Sequence, residues 1–184
     1  MSLLSFISRP RQFESRLEEI RPRLWRLAYS WSHNRATADD LVQEALAKAL
    51  DRHGQLRDPE ALGGWLCSIL ARCWHDHLRG LRDTLDLDAV DEADLAGGCC
   101  PEEGCLQNEI VRRVRLAVAH LPIGQREVVS LVDLEEYSYA EVAEILEIPI
   151  GTVMSRLSRA RVALREALRE QPVTAVVHRL RAES

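Results

Sequence analysis

The chain has 184 residues, enough for one domain or two small ones, and 46% hydrophobic content with only 5% aromatic residues favours compact helices over sheet. No apolar run is long enough to cross a bilayer, and the start Met1-Ser2-Leu3-Leu4-Ser5-Phe6-Ile7 lacks the basic n-region and cleavage site of a signal peptide, so a cytoplasmic protein with no direct membrane insertion is expected. Five cysteines without a regular framework fit a reducing compartment better than a secreted disulfide scaffold.

Taken in chain order, Phe13 to Trp31 carries Leu17, Ile20, Leu24, Leu27, Ala28 and Trp31 at helical spacing, with an interruption expected at Pro22. After Ser32-His33-Asn34-Arg35-Ala36, Thr37 stands three residues before Asp40 in a capping-box-like start. Val42, Ala45, Leu46 and Ala49 then form one buried stripe, while Asp40, Gln43, Glu44, Lys48 and Asp51 line the polar face. Beyond the loop from Arg52 to Pro59, a third helix is expected over residues 62–81, with Leu66, Ile69, Leu70, Cys73 and His77 on its apolar side. Ser68, Arg72, His75, Arg79 and Arg82 gather within about a quarter of its wheel as a basic stripe. Trp65 and Trp74 border this module and are read as core residues.

The net charge of −5 is unevenly spread. Between Gly80 and Glu109 there are nine acidic residues and one basic, a local charge of −8, which leaves +3 for the rest of the chain. Residues 81–107, with Gly97-Gly98-Cys99-Cys100-Pro101, therefore read as a flexible acidic linker between two more basic helical modules, 11–80 and 108–171, followed by a tail over 172–184. In that tail Val173, Val176, Val177 and Leu180 have the spacing of one more short amphipathic helix.

The second module holds the most informative stretch. Ser138 is placed to cap a helix in which Tyr139, Val142, Ala143 and Leu146 share a face, and Pro149 forbids simple continuation. The chain re-enters a helix at Gly151, where Val153, Leu157, Ala160 and Leu164 collect inward. The opposite face presents Ser155 and Ser158, flanked by Met154, Arg159, Arg161 and Arg165. Short polar groups let a helix approach base edges in a major groove while arginines reach phosphates on both walls, so this unit reads as a DNA-binding helix-turn-helix.

Asp39-Asp40-Leu41-Val42-Gln43-Glu44-Ala45, then Gly64-Trp65-Leu66 with Ile69, Ala71, Arg72 and Arg79, then Leu121-Pro122 and the run from Gly151 to Arg161 together resemble the extracytoplasmic-function sigma factors, the smallest members of the major bacterial sigma family. The resemblance covers most of residues 11 to 170. It implies a two-domain transcription initiation factor that binds core RNA polymerase and directs it to promoters. The first domain would read the minus-10 element through Ser68, Arg72, His75 and Arg79, and the second the minus-35 element through Thr152, Met154, Ser155, Arg156, Ser158, Arg159 and Arg161. Asp39, Asp40, Gln43 and Glu44 would meet the coiled coil of the polymerase beta-prime subunit, and the second domain the beta flap. The linker would thread toward the active-site and RNA-exit channels, the region from His53 to Leu62 would capture a flipped base, and an anti-sigma factor would hold the protein in check. A chain covering one module with the other would bind DNA weakly when free. The alternative is a sigma-like decoy that titrates an anti-sigma factor without driving transcription.

Three positions depart from the pattern. Cys73 stands where relatives often have Asn; Glu147 stands where many have Gly, and because a left-handed backbone there would cost about 1 kcal/mol a differently shaped turn is expected; and Gly54-Gln55-Leu56-Arg57 lacks the usual aromatic residue. His75 and His77 point about 200 degrees apart on a helix and cannot share an ion. Cys99, Cys100 and Cys105 offer only three ligands, leaving a redox or metal response open. No cofactor and no catalytic activity are expected.

Overall fold

The computed structural model describes residues 3–56, 58–84 and 106–169. Its elements are α1 (Leu3–Ser32), α2 (Arg35–Asp51), α3 (Leu62–Thr84), α4 (Leu106–Ala119), α5 (Ile123–Val129), α6 (Tyr139–Leu146) and α7 (Ile150–Arg169). The expected all-α class is observed, and there is no strand among the described residues. Most of the acidic linker, including Cys99, Cys100 and Cys105, and the tail over 172–184 lie outside the described residues.

In the N-terminal module α1, α2 and α3 pack against one another. Leu17, Leu24, Leu27, Ala28 and Trp31 form the buried stripe of α1. That helix runs unbroken through Pro22, contrary to the interruption expected there. Proline removes the amide that would reach the Glu18 carbonyl. Both Glu18 and Pro22 are exposed, so the freed acceptor faces water while the apolar stripe stays anchored. The start of α2 also differs: Asn34, not Thr37, is its N-cap, and the Asn34 side chain accepts from the Thr37 amide at 3.1 Å. Ala38, Leu41, Val42, Ala45 and Ala49 of α2 are buried against Leu66, Leu70 and Cys73 of α3 and its neighbours. Trp74 is buried and Trp65 packs half-buried on the same core. His77 is only half-buried, stacked on Trp74 with ring centroids 5.8 Å apart.

The C-terminal module arranges α4, α5 and α6 around α7. Ser138 caps α6 as expected and completes a capping box the sequence reading did not identify: its hydroxyl accepts from the Glu141 amide at 3.3 Å, and the Glu141 carboxylate accepts from the Ser138 amide at 2.8 Å. Glu147 ends the helix at φ 54°, ψ 42°. Contrary to the different turn expected there, the chain keeps the left-handed shape that glycine usually provides, at the cost a β-carbon brings to that conformation. The Pro149 carbonyl accepts from the Thr152 amide at 2.8 Å and opens α7 at Ile150. Val153, Leu157 and Ala160 turn inward as their spacing predicts.

The two modules are docked, α3 against α6 and α1 against α4 and α5. The key group is Arg126 of α5, which is 3% exposed. One of its terminal nitrogens donates to the Trp31 carbonyl at 2.6 Å, and the other to the Ala119 and Leu121 carbonyls at 2.5 and 3.0 Å. These acceptors lie at the carboxyl ends of α1 and α4, where a helix has unpaired carbonyls and partial negative charge. A single buried cation therefore serves two helix ends, one in each module. Beside it, burial and then the charge of Arg126, followed by His120 and Arg115, hold the His33 imidazole down at about 4.

Replacing Arg126 by Met strands buried carbonyls and should lower stability by about 3 kcal/mol in urea denaturation, given ~1.5–3 kcal/mol per charged hydrogen bond; a loss under about 1 kcal/mol would contradict its role. His33 is neutral when folded. Its contribution is therefore complete above its unfolded value of about 6.5 and declines as pH falls from there toward 4. His33→Asn, which tolerates the φ of 48° at this position, should remove that decline from thermal midpoints measured between pH 7 and 4.

Candidate nucleic-acid interface

Two surfaces carry the predicted DNA-contacting residues, and they differ in what surrounds them. On α7 the inward anchors fix the rotation of the helix, so Met154, Ser158 and Arg159 stand exposed on the outer face, with Thr152 and Ser155 half-buried at its edge. The Ser155 hydroxyl donates to the Thr152 carbonyl at 3.1 Å. Arg161 is exposed but engaged, its guanidinium donating to both Asp133 carboxylate oxygens at 2.5 and 3.3 Å. Arg156 folds back over Gly124, where an added β-carbon would sit 2.7 Å from its terminal nitrogen. It lines a cleft with His75, Glu127, Leu146 and Ile148. The resemblance gave Arg156 to the minus-35 contacts with Arg159; in the structure its side chain lies over Gly124 and beside His75 of the other module.

The stripe on α3 keeps Arg72 and Arg79 exposed and Ser68 and His75 half-buried, and its polar groups are engaged by neighbours. The Ser68 hydroxyl donates to the Trp65 carbonyl at 2.8 Å. The Arg72 guanidinium binds one Glu147 oxygen through two nitrogens, with Nε at 3.1 Å. His75 Nε2 lies 2.8 Å from a Glu127 oxygen. Arg79 pairs with Asp76 one turn earlier on its own helix. The Glu127 hydrogen bond raises the His75 imidazole above its ordinary value, against burial and the charges of Arg79 and Arg156. Arg72 in turn lowers the Glu147 carboxyl. Helical periodicity correctly places these residues on one face; it contains nothing about Glu127 and Glu147, whose positions depend on the docking. The available signal was a carboxylate, Glu127, set among the buried positions of α5.

On α2, Asp39, Asp40, Gln43 and Glu44 lie exposed on one face. Asp39 accepts from the Trp25 indole at 2.6 Å, and Glu44 pairs with Lys48 at 2.7 Å. The connection after α2 contains two short turns, His53–Gln55 and Pro59–Ala61, with Arg16 donating to the Pro59 carbonyl at 2.6 Å. Phe13 of α1 stands 6.1 Å from His53, supplying an aromatic neighbour from outside the segment that lacks one. Of the thiols within the described residues, Cys67 is buried, 3.6 Å from the Tyr137 hydroxyl, and burial pushes it up to about 11. Cys73 is buried as its position on the wheel requires, 3.5 Å from Lys48 Nζ. His75 and His77 face different partners, Glu127 and Trp74. None of the described helices is long and apolar enough to cross a membrane.

Residues 17–84 match the sigma-70 region 2 family and residues 112–164 the sigma-70 region 4 family. The RNA polymerase sigma-H factor of Pseudomonas aeruginosa is 31% identical over 167 residues, covering 86% of each chain. The extracytoplasmic-function sigma factor SigM of Mycobacterium tuberculosis is 33% identical over 79% of this chain and 71% of its own. Among solved structures, the sigma factor RpoE of Bartonella quintana, crystallised in complex with the anti-sigma factor NepR, matches with a TM-score of 0.70 at 28% identity. That match covers 88% of this chain and 99% of the other. With both regions present in order on an all-helical frame, the chain belongs to the extracytoplasmic-function branch of the sigma-70 family and is an RNA polymerase sigma factor.

Proposed function

We propose that this sigma factor reads the minus-35 element with α7 and the minus-10 element with α3 and the 53–62 connection, while the acidic face of α2 holds the beta-prime coiled coil and the C-terminal module meets the beta flap. The observation that carries this reading is the outer face of α7. Its small side chain at Ser158 lies between exposed Met154 and Arg159, on a helix whose rotation is locked by buried Val153, Leu157 and Ala160. A helix so anchored presents one surface to a groove, short groups toward base edges and cations toward phosphates.

Asp39, Asp40, Gln43 and Glu44 support the polymerase assignment, since their helix already buries its opposite face and leaves an acidic and amide surface for a basic partner. An acidic linker would occupy a channel built for nucleic acid by imitating its charge and would yield to growing RNA. Control by an anti-sigma factor is supported by the likeness to a sigma factor crystallised with one. Such a partner, where membrane-bound, would hold this protein at the membrane from the cytoplasmic side.

Arg156→Ala with Arg159→Ala should lower run-off transcription from a cognate promoter about a hundredfold or more, as two DNA contacts of ~1–3 kcal/mol each would require, while leaving affinity for core polymerase within about twofold. Asp40→Arg with Glu44→Arg should do the reverse at the first step, weakening core binding about tenfold or more by charge reversal. Loss of core binding in the α7 variant, measured by fluorescence anisotropy with purified core enzyme, would contradict this division.

A further inference from the structure

The first turns of α7 carry two large apolar side chains in the open. Ile150 is 46% exposed and Met154 49%, four residues apart and therefore on one line of the helix. That line continues through exposed Ser158 to exposed Arg165, with Arg159 exposed to one side of it. Between the two apolar residues, Gly151 has nothing within 4 Å of the place a β-carbon would take, so the backbone itself can be approached closely here. Three polar groups of the same helix are turned to other partners. The Ser155 hydroxyl donates to the Thr152 carbonyl at 3.1 Å, Arg156 lies over Gly124, and Arg161 binds Asp133. A single exposed apolar residue is ordinary. A pair in register at the amino-terminal end of a helix-turn-helix reading helix stands where such helices meet base edges.

We propose that Ile150 and Met154 select thymine in the minus-35 element, by packing on the C5-methyl groups of T·A pairs in the major groove. This selection rests on the reading of α7 as the minus-35 helix and adds which base the helix demands and which side chains demand it. Of the four bases, thymine alone presents a methyl group there; cytosine offers an amino donor and the purines offer N7 acceptors. Ile150 has no hydrogen-bonding side-chain group and Met154 only a weakly accepting sulfur. Set against cytosine or guanine, the pair would strip water from polar atoms without replacing their hydrogen bonds, a cost that a thymine methyl avoids. Thymine is thus favoured by contact while the other bases are penalised. Four residues of helix rise about 6 Å, just under two base-pair steps of ~3.4 Å each, so the two side chains cover methyls on adjacent or next-but-one pairs. Arg159 and Arg165 reach phosphates, contacts that hold the helix in place without choosing a base.

The test uses holoenzyme reconstituted from purified core polymerase and the full chain, on a duplex carrying the strongest promoter recovered by run-off sequencing of genomic fragments. Each thymine of the minus-35 element, in either strand, is replaced in turn by deoxyuridine, which removes the methyl and keeps every hydrogen-bonding group. Wild-type holoenzyme is expected to bind about fourfold more weakly for each contacted methyl removed. Ile150→Ala with Met154→Ala should bind thymine and deoxyuridine duplexes alike. The single alanine variants should each lose the response at a different base pair, which keeps the test open if the double variant misfolds. Full wild-type affinity for every deoxyuridine duplex, or a minus-35 element with no thymine in either strand, would overturn the methyl contact. A deoxyuridine effect that persists in the alanine variants would overturn its assignment to this pair, and loss of core binding by them would make the patch a protein contact instead. Scrambling the whole minus-35 element separates this selection from the reading beneath it. If scrambling weakens wild-type binding while deoxyuridine does not, α7 still reads the element and thymine selection alone falls; if neither matters, both fall.

Discussion

The arrangement of this molecule depends on where the buried charge of Arg126 finds acceptors. A guanidinium removed from water must be compensated, and here the Trp31, Ala119 and Leu121 carbonyls accept its hydrogen bonds at 2.5–3.0 Å. Because Trp31 belongs to α1 and the other two to the end of α4 and the turn after it, satisfying this one cation requires both modules at once. Burial, and then the same charge, hold the His33 imidazole low. The same hydrogen bonds fix the position of α5, which brings Glu127 to face α3.

From that docking comes the electrostatic character of the surface between the modules. Helix α3 supplies cations and the C-terminal module supplies carboxylates, each in the register that the core packing imposes. The same residues that suit a phosphate backbone are thereby neutralised inside the free chain. The net positive balance outside the acidic segment is modest, so little long-range attraction to DNA remains once these cations are paired. A sigma factor built this way would depend on its partners to reach DNA.

Much of this was legible in the sequence, because helical periodicity is a local property. The inward faces of α2, α3, α6 and α7 follow from the spacing of Val42, Leu66, Val142 and Val153 with their neighbours, and Ser138 marks the start of α6. The run from Gly151 to Arg161 contained enough to suggest the family. What was not legible depends on tertiary context. Pro22 is tolerated because its missing bond faces solvent. Asn34 outcompetes Thr37 as a cap because its side chain reaches the N3 amide. Arg156, given to the minus-35 contacts by the resemblance, folds back because Gly124 leaves space for it, and a glycine on a neighbouring helix has no signature in the spacing of α7. Glu147 keeps a left-handed turn that its residue type disfavours, and its link to Arg72 joins residues 75 apart in sequence.

The central claim is that this chain directs core polymerase to particular promoters. The most direct measurement is run-off transcription by purified core polymerase on a library of genomic fragments, with transcript starts sequenced in the presence and absence of the protein. The account predicts discrete new starts that share two upstream elements at fixed spacing. Core binding without any new start would contradict it.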